Sequence, residues 1–311
     1  MQKPVYLIIG VHNHQPVGNF GFIFEEAYQK AYLPFMNILE KHPSIKMTFH
    51  YSGVLLEWIL VNHPEFFEKL RKLVKSGQVE FMTGGFYEPI FPMIPDRDKK
   101  GQIKLMTEFI RSNLGYDPKG LWLPERVWEP SLPKPLAESG VEYTVTDDYH
   151  FMKIGKKADE LNGYYLTEEQ GFPVKVFPIS EKLRYLIPFK YPEETIKHLK
   201  SLASGDKERA VCIADDGEKF GIWPETYEWV YNKNWLENFF RALEENKDWL
   251  KTATFSEWVA RSAPEGRIYL PTASYEEMEG WRNGIHAKGG NKCRIRASIP
   301  REPIRIKMPC S

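Results

Sequence analysis

From residue 5 to residue 270 the chain alternates short apolar runs with longer runs of helical period, and this alternation limits the fold more than any single motif does. The strand-like runs fall at 5–11, 46–51, 79–82, 121–123, 143–146, 174–177, 210–213 and 267–270. Helical patterns lie between them, at 24–41, 64–76, 99–114, 132–139, 192–202, 235–246 and 256–260. The second helix is the clearest, because Phe66, Phe67, Leu70, Leu73 and Val74 form one stripe with charges elsewhere. Strand, helix, strand over a whole chain predicts a parallel sheet covered by helices. This many units favours an α/β barrel of the TIM type over an open sheet.

A chain of 311 residues with 42% hydrophobic content can bury one large core, and nothing requires a second domain. Met1-Gln2-Lys3-Pro4 leads directly into the first strand, without a cleavage site and without a stretch long enough to span a bilayer. A cytoplasmic protein with no membrane partner is expected. Cys212, Cys293 and Cys310 have no CxxC spacing, so neither a disulfide framework nor a zinc signature is predicted. The net charge of zero conceals a split: eight Lys or Arg between Arg282 and Ser311 face only Glu302, so this tail is +7 and residues 1–281 are −7. The tail also lacks periodicity. Residues 1–281 therefore read as the barrel domain, and 282–311 as a basic irregular tail from a shifted frame or a fragment. A nucleic-acid arm is disfavoured, because no aromatic residues interleave with the charge.

In a parallel barrel the working side chains lie just past the C-terminal ends of the strands. Those positions hold His12 and His14, His50 and Tyr51, Glu88, Trp122 and Glu125, Asp147, Asp148 and His150, and finally Asp215, Asp216 and Glu218. Each has a plainer reading as a turn, a cap or a hydrogen-bonded core histidine. Their joint placement favours a cleft, since clustered like charges cost stability unless they serve chemistry or a cation. Within Leu121-Trp122-Leu123-Pro124-Glu125-Arg126-Val127-Trp128, Pro124 ends the strand and leaves Glu125 at its edge. Apolar walls there raise a carboxyl pKa, whereas Arg126 lowers it. Two chemistries fit. A carboxylate pair can flank a glycosidic bond, with Trp122, Trp128, Trp223, Tyr227, Trp229 and Trp281 as sugar-stacking or core aromatics. Alternatively, His12 and His14 begin a metal site that activates water. That class needs further ligands, and only His50 and His150 among the other histidines lie near strand ends.

Five blocks in order resemble glycoside hydrolase family 57, within it the 4-α-glucanotransferase and α-amylase-like group. They are His12-Asn13-His14-Gln15-Pro16, Gly85-Phe86-Tyr87-Glu88-Pro89, Trp122-Leu123-Pro124-Glu125-Arg126-Val127-Trp128, Asp215-Asp216-Gly217-Glu218-Lys219-Phe220-Gly221 and Tyr269-Leu270-Pro271-Thr272-Ala273-Ser274-Tyr275. The resemblance implies a seven-stranded (β/α) barrel, incomplete at its C-terminus, and a retaining double displacement on α-1,4-glucans or maltooligosaccharides. It makes Glu125 the nucleophile and Asp216 the acid/base, with Asp215 as competitor. His12, His14, Glu88, Trp122, Glu218 and Trp223 would line the donor subsites, and neither metal nor cofactor is implied. The charges agree with these roles: Arg126 would keep Glu125 ionised, and Asp215 and Glu218 would raise the pKa of Asp216. The resemblance stops near Trp281, which leaves apolar faces expected to self-associate. A metal-dependent hydrolase using His12 and His14 stays open, as does a glucan-binding fragment without turnover.

Overall fold

The computed structural model describes residues 3–203 and 207–282. The basic stretch from residue 283 on, with Cys293 and Cys310, lies outside the described residues. Among the described residues nine strands form: β1 (Val5–Asn13), β2 (Met47–Tyr51), β3 (Val79–Phe81), β4 (Gly120–Leu121), β5 (Tyr143–Asp147), β6 (Tyr165–Glu169), β7 (Phe172–Ile179), β8 (Arg209–Asp216) and β9 (Leu250–Ala253). Seven run parallel in the order β3-β2-β1-β8-β7-β5-β4. The two ends of that order meet at Thr83, whose amide donates to the Gly120 carbonyl at 2.8 Å and whose carbonyl accepts from the Trp122 amide at 2.8 Å. A single residue thus seams the seven strands of the α/β barrel.

β1 is its axis. All nine of its residues are buried, which is why it reads as a continuous apolar run rather than an alternating one. One edge pairs with β8 from Val5 to His12; the other pairs first with β9 and then, from Gly10, with β2. Because side chains alternate across a strand, Tyr6, Ile8, Gly10 and His12 share a face. Tyr6 and Ile8 pack there with Met82, Trp122, Tyr143, Phe177, Cys212 and Ala214. A Cβ on Gly10 would come within 2.9 Å of Ala214 Cβ, so this strand pair admits no larger residue. The same face delivers His12 and Asp216, opposite each other in register, to the C-terminal mouth.

The first helical layer bends for a local reason. The run predicted at 24–41 is two α-helices, Gly21–Ala27 and Leu33–Leu39, joined by a π-turn at Tyr28–Tyr32. Pro34 has no amide to give the Lys30 carbonyl, and such a loss opens a helix turn. The chain at Gly221 crosses so close to that carbonyl that a Cβ there would stand 1.9 Å from it.

Other expectations need correction. Residues 267–270 form no strand; Arg267 makes one bridge to Leu166 instead, because β6 takes the place beside β7. β6 and β9 were not anticipated, since Tyr165–Glu169 ends in two charged residues and Lys251 and Thr252 interrupt the apolar run of Leu250–Ala253. The helix Gly53–Asn62 is apolar on nearly every side and so shows no stripe to detect. Among the described residues no helix is long and apolar enough to cross a membrane.

Candidate active site

A cleft of about 400 Å³ opens at the C-terminal ends of the strands. It brings together His12 and His14 from the end of β1, Glu88 after β3, Trp122 and Glu125 after β4, and Asp216 closing β8. Two residues expected there lie elsewhere. After β8 the chain tightens into the turn Gly217–Phe220, where a Cβ on Gly217 would strike Asn13 Oδ1 at 1.8 Å. This turn tucks Glu218 behind the cleft wall, where Oε1 accepts from the His14 amide at 2.8 Å and from the Tyr32 hydroxyl at 2.5 Å. Trp223 follows it away from the opening and stacks on Phe189, with ring centroids 5.8 Å apart. Among the other candidate stacking residues, Trp128 and Trp229 are buried in the core.

Three non-glycine residues of this cleft hold left-handed backbone: Glu88 with φ 51°, Glu125 with φ 50° and Arg126 with φ 49°. Such conformations cost on the order of 1 kcal/mol or more each and persist only where surrounding contacts over-determine them. Those contacts are present. The Glu125 carbonyl accepts from Ser274 Oγ at 2.7 Å, the Arg126 amide donates to the Leu123 carbonyl at 2.9 Å, and His150 Nε2 lies 3.0 Å from the Arg126 carbonyl. The kink exposes Glu125 and buries Arg126.

Arg126 is therefore not the ion-pair partner of its neighbour, as its place in the sequence had implied. Its guanidinium lies 4.0 Å from Asp215 and 4.6 Å from the Tyr275 ring centroid. Lys219 Nζ donates to Asp215 at 2.8 Å, and Arg184 Nε stands 3.6 Å away. Burial alone would raise the Asp215 pKa, but Lys219, Arg184 and Arg126 hold it well below the usual carboxylate range. Asp216, one residue on, behaves oppositely. Burial, then the charges of Asp215 and Glu125, raise its pKa to about 6 against the pull of Arg126 and Lys219. Glu88 is also raised, by burial and by Glu218, Asp216 and Glu125. Two adjacent aspartates thus take opposite protonation habits.

The floor is aromatic. The His12 ring stacks on Trp122 with centroids 4.4 Å apart and planes 14° from parallel, and its Nδ1 lies 2.8 Å from His50 Nδ1. Burial first, then His50, His14 and Arg126, lower the His12 pKa, so the ring is neutral near pH 7. His12 Nε2 approaches Glu88 Oε1 at 3.5 Å. His12, His14 and Glu88 each offer a ligand atom, all within 4.8 Å of one another, and such an N₂O set could hold a divalent cation. Sequence reasoning missed Tyr32, Arg184, Ser274 and Tyr275 as parts of the site. Arg184 lies within a helix with no motif around it, whereas Ser274 and Tyr275 stood inside a recognised block.

Comparisons with known proteins agree with this geometry. The chain is 53% identical to α-amylase 1 of Dictyoglomus thermophilum over 90% of its own length and 41% of that protein's. It is 52% identical to the 4-α-glucanotransferase of Thermococcus litoralis, over 89% of this chain and 42% of that one. The crystal structure of that glucanotransferase superposes with a TM-score of 0.87 at 51% identity, covering 89% of this chain and 43% of the other. The chain therefore spans about two fifths of the length of the curated relatives it matches. The family model described as Glycosyl hydrolase family 57 matches residues 8–271, and the chain belongs to that family.

Proposed function

We propose that this chain carries the glycosyl-transfer centre of a retaining enzyme acting on α-1,4-glucans, either a 4-α-glucanotransferase or an α-amylase. The observation that carries the reading is the contrast at the end of β8: Asp215 is pinned as an anion by three cations, while Asp216, in the same cleft as Glu125, keeps its proton to about pH 6. Glu125 acts as the nucleophile. One of its carboxylate oxygens bonds to the anomeric carbon as the glycosidic C–O bond breaks, and Asp216 gives its proton to the departing oxygen. In the second step Asp216, now a carboxylate, takes a proton from the acceptor hydroxyl, whose oxygen displaces Glu125 from the sugar. Trp122 supports a sugar face, and His12, His14 and Glu88 supply polar contacts around it. Glu218 acts from behind by fixing the His14 amide. Water as acceptor gives hydrolysis and a sugar hydroxyl gives transfer; the choice depends on how well the cleft mouth excludes water.

The cluster of His12, His14 and Glu88 supports a second reading, a metal-assisted hydrolase. One experiment separates the two: incubation of the purified chain with maltoheptaose, beside Glu125→Gln, each with and without chelator. Products both longer and shorter than the input, lost by at least about 10³-fold in the variant and indifferent to chelator, support the glucanotransferase reading. Only shorter products with the same dependence support the amylase. Activity that survives in Glu125→Gln and disappears with chelator supports the metal reading. Glucan binding with no turnover identifies a binding fragment.

A further inference from the structure

The segment that follows the Arg267 bridge reaches back over the cleft and touches the residue that the proposed mechanism makes its nucleophile. Trp128 and Ala273 form an antiparallel bridge, with the Trp128 amide donating to the Ala273 carbonyl at 2.8 Å. Ser274 then binds the Glu125 carbonyl, and Tyr275 Oη donates to Glu125 Oε2 at 3.0 Å. Further along, Glu277 accepts from the Tyr185 hydroxyl at 2.6 Å and lies 3.8 Å from Arg184 Nη2, while Glu279 pairs with Lys153. The Tyr275 ring is held by two cations, Arg126 at 4.6 Å and Arg184 at 5.7 Å from its centroid. Both also lie beside Asp215, with Lys219.

We propose that Tyr275 is the positioning residue for Glu125: its hydroxyl fixes Oε2 and leaves the other carboxylate oxygen to meet the anomeric carbon. The inference rests on the reading of Glu125 as nucleophile. A carboxylate on an exposed, left-handed residue has two side-chain torsions beyond Cβ to restrain, and the Asp215 network takes Arg126 away from that task. Tyr275 is the hydroxyl placed to perform it. Burial and the Glu125 charge push that hydroxyl above the usual phenol range, so it stays a donor throughout the working pH range. Asp215 contributes indirectly, since the cations that keep it ionised also clamp the tyrosine ring.

The test labels the nucleophile without needing turnover or an acceptor. An α-glucose-configured cyclitol epoxide is incubated with the full chain, and ester formation is followed by intact mass and mapped by peptide. A Glu125 oxygen bonds to the ring carbon, the epoxide C–O bond breaks, and the freed oxygen takes the Asp216 proton. Tyr275→Phe keeps the ring between its cations but removes the donor. It should label on the order of 10- to 100-fold more slowly, the range expected for loss of one hydrogen bond to a charged group. The epoxide concentration that gives half-maximal labelling rate should change by less than about threefold. Tyr269→Phe removes an exposed hydroxyl bonded to Glu168 and should label as wild type. If Tyr275→Phe lowers the thermal midpoint, Tyr275→His, which returns a ring donor, should recover part of the rate; no recovery counts against the inference. Equal labelling of wild type and Tyr275→Phe overturns the positioning role and leaves the nucleophile reading intact. A wild type left unlabelled, or labelled away from Glu125, overturns both.

Discussion

Asp215 and Asp216 are adjacent and chemically alike, yet their surroundings divide them. The strand alternation turns Asp215 outward into Lys219, Arg184 and Arg126, and turns Asp216 into the cleft. This has a consequence for pH. A proton donor works only while protonated, and a pKa raised to about 6 extends that range upward from the usual carboxylate value. The kcat/KM for maltooligosaccharides should therefore fall as pH rises through about 6. With an aryl α-glucoside whose leaving group needs no proton, the first step should lose that limb, and Asp216→Asn should retain far more of its rate than on the natural glucan. A limb that persists with the activated substrate would assign it to another buried acid, such as Glu88. At this scale the sequence was informative about residue type and poor about pairing. It located Glu125, Asp216, His12, His14, Glu88 and Trp122 because each follows a strand, and strand ends are visible as apolar runs that stop. It mispaired Arg126, because neighbours in sequence at a left-handed kink point apart.

Among the elements, those with a period were legible and those without one were not. Pro64–Lys75 announced itself by its apolar stripe, whereas Gly53–Asn62, with apolar residues on nearly every side, could not. β6 and β9 were hidden because charged and polar residues interrupt them, and such a strand is specified by its neighbours rather than by itself. The bend in the first helical layer was legible only as a proline. Its counterpart, Gly221, explains why the sequence needs no side chain there: the Lys30 carbonyl released by Pro34 occupies the space. Gly221→Ala should destabilise the protein by about 1–3 kcal/mol through overpacking, read as a lower denaturant midpoint with unchanged slope. An unchanged midpoint would mean that the helix and the turn move apart at no cost.

For the whole molecule, closure is the weak point. β7 and β8 pair through one register position, Ile179 with Cys212, and the ring is completed by Thr83 alone. The Thr83 hydroxyl also lies 2.8 Å from that of Thr107 on the helix Asp96–Leu114, tying the seam to the outer layer. Thr83→Val should cost about 1–3 kcal/mol, because it leaves Thr107 buried without that partner. The loss should appear in the global unfolding transition rather than in a local one, and normal global stability would show that the tie from the seam to Thr107 is redundant. The barrel itself was legible from the count of units, but its seam was not, since it depends on one backbone residue past the end of β3. Order of synthesis adds a consequence for the contact between the last described segment and the cleft. Glu125 leaves the ribosome 149 residues before Ser274 and 150 before Tyr275. A nascent chain can therefore build most of its strands and helices while the carboxylate proposed as nucleophile still lacks both restraints. On the proposed mechanism these restraints arrive last within the described region, so a stalled or shortened product that ends before residue 274 should fold in large part and label at Glu125 more slowly than the full chain.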